Sequence, residues 1–328
     1  MRVVAILIVL FTGLGESSAA SQDDLRELIL RARTIAERHG DEVWSGYSAS
    51  PFGILLVEEE TERLFCHFGS AEEFETIGID PVLSCPSHVR PASFPPNMLA
   101  SFPAVDGVPT IVIGTPEATG KSADEWVLTI FHEHFHQMQF SWPGYYPGTA
   151  GLELDHGDES GMWMLNYPFP YEREETARSF QFMAERLIAV LDAQGKDAFD
   201  DALKRYWSSR EAAKSKVSEA DWRYIELQFW QEGVARWTEA AIAALSNNLS
   251  DATEEARRRV IRELSSLDLA SQKRAAVYPI GAAEAMLLEV SGADWRASYW
   301  SEPFSLGPQL LKLIDDRAAD STAGSRRN

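Results

Sequence analysis

The 328-residue chain carries 50 acidic and 30 basic residues, a formal net charge of -20. A surface of that sign repels phosphate backbones and anionic membranes, which argues against a nucleic-acid role and a lipid-surface role. Hydrophobic residues at 45%, with ten tryptophans and sixteen phenylalanines, supply a sizeable core and argue against extensive disorder.

The first twenty residues, MRVVAILIVLFTGLGESSAA, join Arg2 to an apolar run from Val3 to Leu14 and then to small residues at Ser18 and Ala20. This pattern predicts a secretory signal peptide, Met1–Ala20, too short to span a bilayer and cleaved after Ala20. No cysteine lies near the cleavage point, so no membrane anchor is expected, and the mature chain is placed outside the cell or in a periplasm. In such an oxidising compartment Cys66 and Cys85 are expected to pair, closing a loop worth about 3 kcal/mol. The alternative is two unconnected buried thiols.

Asp23 to His39 has helical periodicity, with Leu25, Leu28, Ile29 and Ile35 on one side. Extended segments follow at Phe52–Glu59, Glu62–Phe68 and Pro109–Gly114, the first two joined by a turn within EEETE. Pro91, Pro95, Pro96 and Pro103 mark an irregular connection before the third strand. From Ser122 the chain reads as helical. Ser122-Ala-Asp-Glu125 is a capping box whose helix can run to about Phe140, before Pro143. Further helices are predicted at Glu172–Ala193, Ala198–Lys216, Glu219–Leu245, Ala252–Leu264, Ile280–Val290 and Leu306–Ile314. The expected class is α+β: a strand-containing N-terminal lobe over 21–121, a helical lobe over 122–314, and a disordered tail over 315–328.

Residues 132 to 136 spell H-E-H-F-H, a match to HExxH. On a helix, positions four apart differ by about 40° and lie about 6 Å apart, so His132 and His136 can reach one ion. Glu133 sits about 100° further round, where the general base for a water belongs. His134 is about 200° from His132 and faces away, which predicts a packing residue. Seven histidines and at most 50 acids in 328 positions give about 0.02 chance matches to the pattern. Imidazole ligands with an open position suit Zn2+.

A hydrolytic zinc site needs a third protein ligand. A metzincin would place a histidine six residues after His136, where Trp142 stands. Two other sources are available. One is Glu232 in WQEGVARWTE, on a strongly predicted helix with Gly233 and Ala235 allowing close packing. The other is the loop LELDHGDES, with Asp155, His156 and Asp158. An aspartate ligand there would resemble the aspzincins, whose GT motif Gly148-Thr149 echoes, but Gly151 occupies the aspartate's place.

HExxH followed by a helix reading EGxAxxxE resembles the gluzincin metallopeptidases. The resemblance covers these two helices, with 95 residues between His136 and Glu232. It implies a zincin-like fold in which His132, His136 and Glu232 bind zinc and Glu133 is the general base. Four residues after Glu232, where some gluzincins carry an aspartate that orients a histidine ligand, stands Arg236, so another acid is needed for that role. Gluzincins use a Tyr or His to stabilise the oxyanion. Tyr278 and His156 are the candidates here, with Tyr145 and Tyr146 behind them. The resemblance further implies that the strand Thr110–Gly114 lines the cleft and pairs with an extended peptide or protein substrate. GAAEAM at Gly281–Met286 resembles an exopeptidase motif but follows the zinc helix, and receives no role. The expected function is thus an exported zinc metallopeptidase. The alternatives are a zinc hydrolase of a non-peptide amide or ester, and a catalytically silent secreted binding protein.

Overall fold

Strand β1 (Ile54–Val57) is ILLV, buried at all four positions, so both its faces are covered. Strand β6 (Val108–Gly114), equally apolar through Ile111, Val112 and Ile113, pairs with it in parallel. The other pairings are antiparallel and use β2 (Thr61–Phe65), β3 (Glu75–Ile79), β4 (Pro86–Pro91) and β5 (Leu99–Val105). The result is a mixed six-stranded sheet in the order β3-β4-β2-β1-β6-β5. These coordinates are a computed structural model that describes residues 21–158 and 160–325. The signal peptide expected at Met1–Ala20 lies outside them. Among the described residues no helix is long and apolar enough to cross a membrane.

β3, β4 and β5 are not among the three extended segments expected from the sequence, and for β4 and β5 proline explains why. Pro86 and Pro91 lie at the two ends of β4, where a missing N–H costs the ladder least. Pro103 falls in the register shift between Phe102 and Val105, on a strand at the sheet edge. The strand expected to line the cleft, Thr110–Gly114, is internal instead. As part of β6 it is flanked by β1 and β5, so its main chain is already paired. The edge strand on this side of the sheet is β5.

Leu55, Val57, Leu64, Met98, Phe102, Val105 and Val112 form a core on one side of the sheet. Ile54, Leu56, Ile111 and Ile113 point to the other face, as the period of two requires, and are also buried. Helix α1 (Gln22–Val43) and helix α2 (Ala123–Ser141) belong to the same unit as the sheet. Gln137 Nε2 donates to the carbonyls of Gly53 at 2.8 Å and Pro109 at 3.0 Å, and Trp126 Nε1 donates to Gly114 O at 2.8 Å. Cys66 and Cys85 form the disulfide, which joins the end of β2 to the start of β4.

The described residues divide into two compact units: one runs through Asn166 and adds Thr238–Glu254, the other comprises Tyr167–Trp237 and continues from Glu255. The histidine helix therefore groups with the strands, because its polar side chains are bonded to the sheet, and 121/122 is not a boundary between units. The second unit is helical: α3 (Glu174–Asp192), α4 (Phe199–Lys214), α5 (Glu219–Gln228), a π-helical segment Phe229–Gly233, α6 (Val234–Ala243, whose last turns from Thr238 belong to the first unit), α7 (Ser250–Ser265, which enters the second unit at Glu255), α8 (Tyr278–Val290) and α9 (Gly307–Ser325). Helix α9 corrects the expected disordered tail as far as Ser325. Lys312 Nζ reaches Asp316 Oδ2 at 2.6 Å one turn on, and Arg317 Nε reaches Asp200 Oδ1 at 2.8 Å, so the tail's charges are used by the helix.

The Glu284 of GAAEAM has a structural place. It is fully buried and accepts from Arg210 Nε at 2.8 Å and from the Tyr206 hydroxyl. Arg210 also meets Glu226 Oε1 at 2.6 Å, and Ser305 Oγ donates to Glu226 Oε2 at 2.6 Å. Burial raises the Glu284 carboxyl above its ordinary range, opposed by the Arg210 charge.

Candidate metal centre

The helix that carries the histidines starts as the sequence predicts. Ser122 Oγ caps the Glu125 N–H at 3.3 Å, and the Glu125 carboxylate returns to the Ser122 N–H at 3.0 Å. Pro143 follows the end, with Trp142 as the C-terminal cap. The helix is apolar on most sides, so Glu133, His134 and His136 are buried and need partners for their polar atoms.

The three histidines have different surroundings. His134 is 2% exposed and packs edge-on against Tyr47 at 4.4 Å and Phe52 at 5.0 Å between ring centroids. Its Nε2 lies 3.4 Å from Ser50 O, and burial lowers its pKa to about 4. His134 is thus a neutral core residue. His132 and His136, by contrast, bring their Nε2 atoms to 3.1 Å of one another.

That distance is informative once the protons are assigned. His132 Nδ1 lies 3.2 Å from Glu239 Oε2. His136 Nδ1 lies 2.6 Å from Gln139 Oε1. Both Nδ1 atoms face oxygen acceptors, which assigns them the ring protons and leaves lone pairs on both Nε2 atoms. Two lone pairs at 3.1 Å repel unless a cation lies between them. A tetrahedral ion with bonds of about 2.0–2.1 Å holds two ligand nitrogens about 3.3 Å apart, close to this spacing.

Glu232 completes the group. One ligand atom from each of His132, His136 and Glu232 lies within 4.8 Å of the others, and among the described residues this is the cluster that could hold a metal ion. Asp155, His156 and Asp158 are not in it. Asp155 accepts from the Gly157 N–H at 3.1 Å, and Asp158 from the Ser160 N–H at 2.8 Å, so these carboxylates shape their loop. Two imidazoles and one carboxylate match the protein donor set of a hydrolytic zinc site.

Residues 219–243 run through α5, the π-helical segment and α6 in succession, and Glu232 lies inside the π-helical part. A π-bulge adds a residue to a turn and is common where a side chain must be re-aimed. Its backbone lies directly against α8. A Cβ on Gly233 would meet Gly281 Cα at 2.5 Å, and a Cβ on Gly281 would meet Phe229 O at 2.5 Å. Only glycine fits at either position. The Gly233 expected to permit close packing does so, and its partner is the first residue of GAAEAM.

Glu239 and Gln139 are the functional side chains that sequence reasoning missed. Glu239 lies seven residues after Glu232, and seven residues return to nearly the same face of a helix. Inspection of only the fourth position finds Arg236, which instead pairs with Glu263. Tyr278 opens α8 and is 6% exposed. Its hydroxyl has no hydrogen-bond partner among the described residues. Burial pushes the phenol pKa far above its ordinary value, with the Arg274 charge opposing. Tyr145 and Tyr146 pack edge-on at 5.2 Å. Comparison of the chain with family models, with curated proteins and with solved structures gives no match.

Proposed function

We propose that the chain is an exported zinc-dependent hydrolase of peptide bonds with a zincin-like fold. The observation that carries this reading is the 3.1 Å convergence of His132 Nε2 and His136 Nε2 in a group completed by Glu232. The Cys66–Cys85 disulfide fits an oxidising compartment and supports export.

Zinc bound there would supply Lewis acidity and bring the pKa of water toward neutrality. The remaining chemistry falls to the chain. Glu239 and Gln139 hold the two imidazoles as Nδ1–H tautomers and fix their orientation. Glu133, beside His132 on the same helix and 4% exposed, takes the proton of the attacking water and delivers it to the leaving amine. Ser101 Oγ donates to Glu133 O at 2.7 Å and ties that residue's main chain to β5. An extended substrate adds to β5, the edge strand, by main-chain pairing. Tyr278 keeps its proton across neutral pH and serves as a hydrogen-bond donor to the developing oxyanion.

Digestion of a mixed peptide library tests the reading. The wild-type protein should cleave it, and Glu133→Gln should retain zinc but not cleave. If the wild type holds zinc and cleaves no peptide, the peptide-bond assignment fails, and non-peptide amides and esters become the substrates to try. If neither class is turned over, the chain is a silent binding protein.

A further inference from the structure

In a chain with twenty more acids than bases, several part-buried guanidiniums find carboxylates. Arg26 meets Asp80 at 2.9 Å, Arg31 meets Asp124 at 2.6 Å, Arg90 meets Glu62 at 2.7 Å, and Arg236 meets Glu263. Arg274 does not. It is half-buried, and it forms no ion pair and no hydrogen bond with any described residue. Its guanidinium carbon lies 5.5 Å from the centroid of the Tyr278 ring, whose hydroxyl is itself buried without a hydrogen-bond partner among the described residues. Arg274 also lies in the field of Glu232, Tyr224 and Tyr171, and the hydroxyls of those two tyrosines are 3.4 Å apart. The preceding residue, Lys273, takes φ 50° and ψ −127°, so the segment Lys273–Val277 places Arg274 through a backbone conformation that L-residues rarely adopt.

An arginine cannot shed its charge when it is partly desolvated, so an anion at such a site is stabilising. Glu232 is near but not within ion-pair distance, and its carboxylate belongs to the metal group. The planar fork of a guanidinium fits a carboxylate with two parallel hydrogen bonds. We propose that Arg274, with the Tyr278 hydroxyl, anchors a carboxylate of the substrate next to the metal group. This rests on the hydrolase reading above and deepens it. The substrates are peptides that carry a carboxylate close to the scissile bond, either the C-terminal α-carboxylate or an Asp or Glu side chain.

The test measures binding to zinc-loaded Glu133→Gln protein, so that turnover does not intrude. Three blocked peptides are titrated by calorimetry: acetyl-Ala-Phe-Ala as the free acid, the same peptide as its C-terminal amide, and acetyl-Ala-Phe-Asp as its amide. At least one carboxylate-bearing peptide should bind about tenfold or more tighter than the neutral amide, and the arm that does so identifies the source. Adding Arg274→Gln should abolish that preference while leaving binding of the neutral amide unchanged. Adding Arg274→Lys, which keeps the charge but not the fork, should restore part of it and controls for folding, as does the thermal midpoint of each variant. Equal binding of all three peptides, no binding of any, or a preference that survives Arg274→Gln would overturn the proposal. None of those results bears on zinc content or on library cleavage by the wild type, which test the hydrolase reading separately.

Discussion

His132 Nδ1 lies 3.2 Å from Glu239 Oε2, so the first histidine of HExxH is oriented by an acid 107 residues later in the chain. Glu239 supplies the orienting carboxylate that Arg236, four residues after Glu232, cannot. Outer contacts of this kind hold a ring in the ligating tautomer and raise its basicity, and their loss weakens metal binding by about 10–100-fold. Glu239→Gln should therefore raise the zinc dissociation constant within that range in a chelator competition. Arg236→Ala should leave it unchanged. Equal zinc affinity in the wild type and Glu239→Gln would show that the contact does not serve the metal.

Gly281→Ala should act on the same site from behind. The added methyl would lie 2.5 Å from Phe229 O, which is backbone and cannot swing aside. Overpacking of this type costs about 1–3 kcal/mol. Because Phe229 opens the π-helical segment that carries Glu232, zinc affinity should fall together with the urea midpoint. A loss of stability with zinc affinity intact would mean that the segment moves without moving Glu232.

The buried His134 predicts a pH dependence of stability. Its pKa is about 4 in the folded chain against 6.5 for the free side chain, so the unfolded chain binds more protons between those values. Its contribution is complete above pH 6.5 and is lost progressively as pH falls toward 4. Between pH 7.5 and pH 5, metal-free wild type should lose about 2 kcal/mol more than metal-free His134→Gln, measured by urea unfolding. The difference between the two proteins isolates His134, since every other histidine is common to both. Parallel curves would place the proton elsewhere.

Arg210→Ala should destabilise the second unit, and Arg210 is not itself a member of the metal group. It leaves two carboxylates, Glu226 and Glu284, in a dry environment with their counter-charge removed. Breaking one side of a buried pair costs about 3–5 kcal/mol. Zinc bound per folded chain should stay at the wild-type value.

Much of this was legible in the sequence because it is local. The capping box at Ser122, the division of three histidines by helical angle, and the all-apolar strands β1 and β6 depend only on nearby residues. What escaped depends on tertiary context. Strands β4 and β5 carry prolines at strand ends and in a bulge, so their local signal reads as loop. The resemblance implies a cleft role for the strand Thr110–Gly114, and nothing in PTIVIG reveals that β5 pairs along its far side. The helix over 315–325 is held in part by a contact with Asp200, more than a hundred residues away. Glu239, seven residues after Glu232, shares its helical face, whereas Arg236 occupies the fourth position, and the π-bulge at Glu232 has no signature short of the Gly233–Gly281 contact.

The most direct test is zinc content per chain, measured by mass spectrometry on wild-type, His136→Ala, Glu232→Ala and Glu133→Gln proteins after dialysis. The expected result is one zinc in the wild type and in Glu133→Gln, and none in His136→Ala or Glu232→Ala. A wild type that holds no zinc, or a Glu232→Ala protein that keeps it, would contradict the metal centre described here.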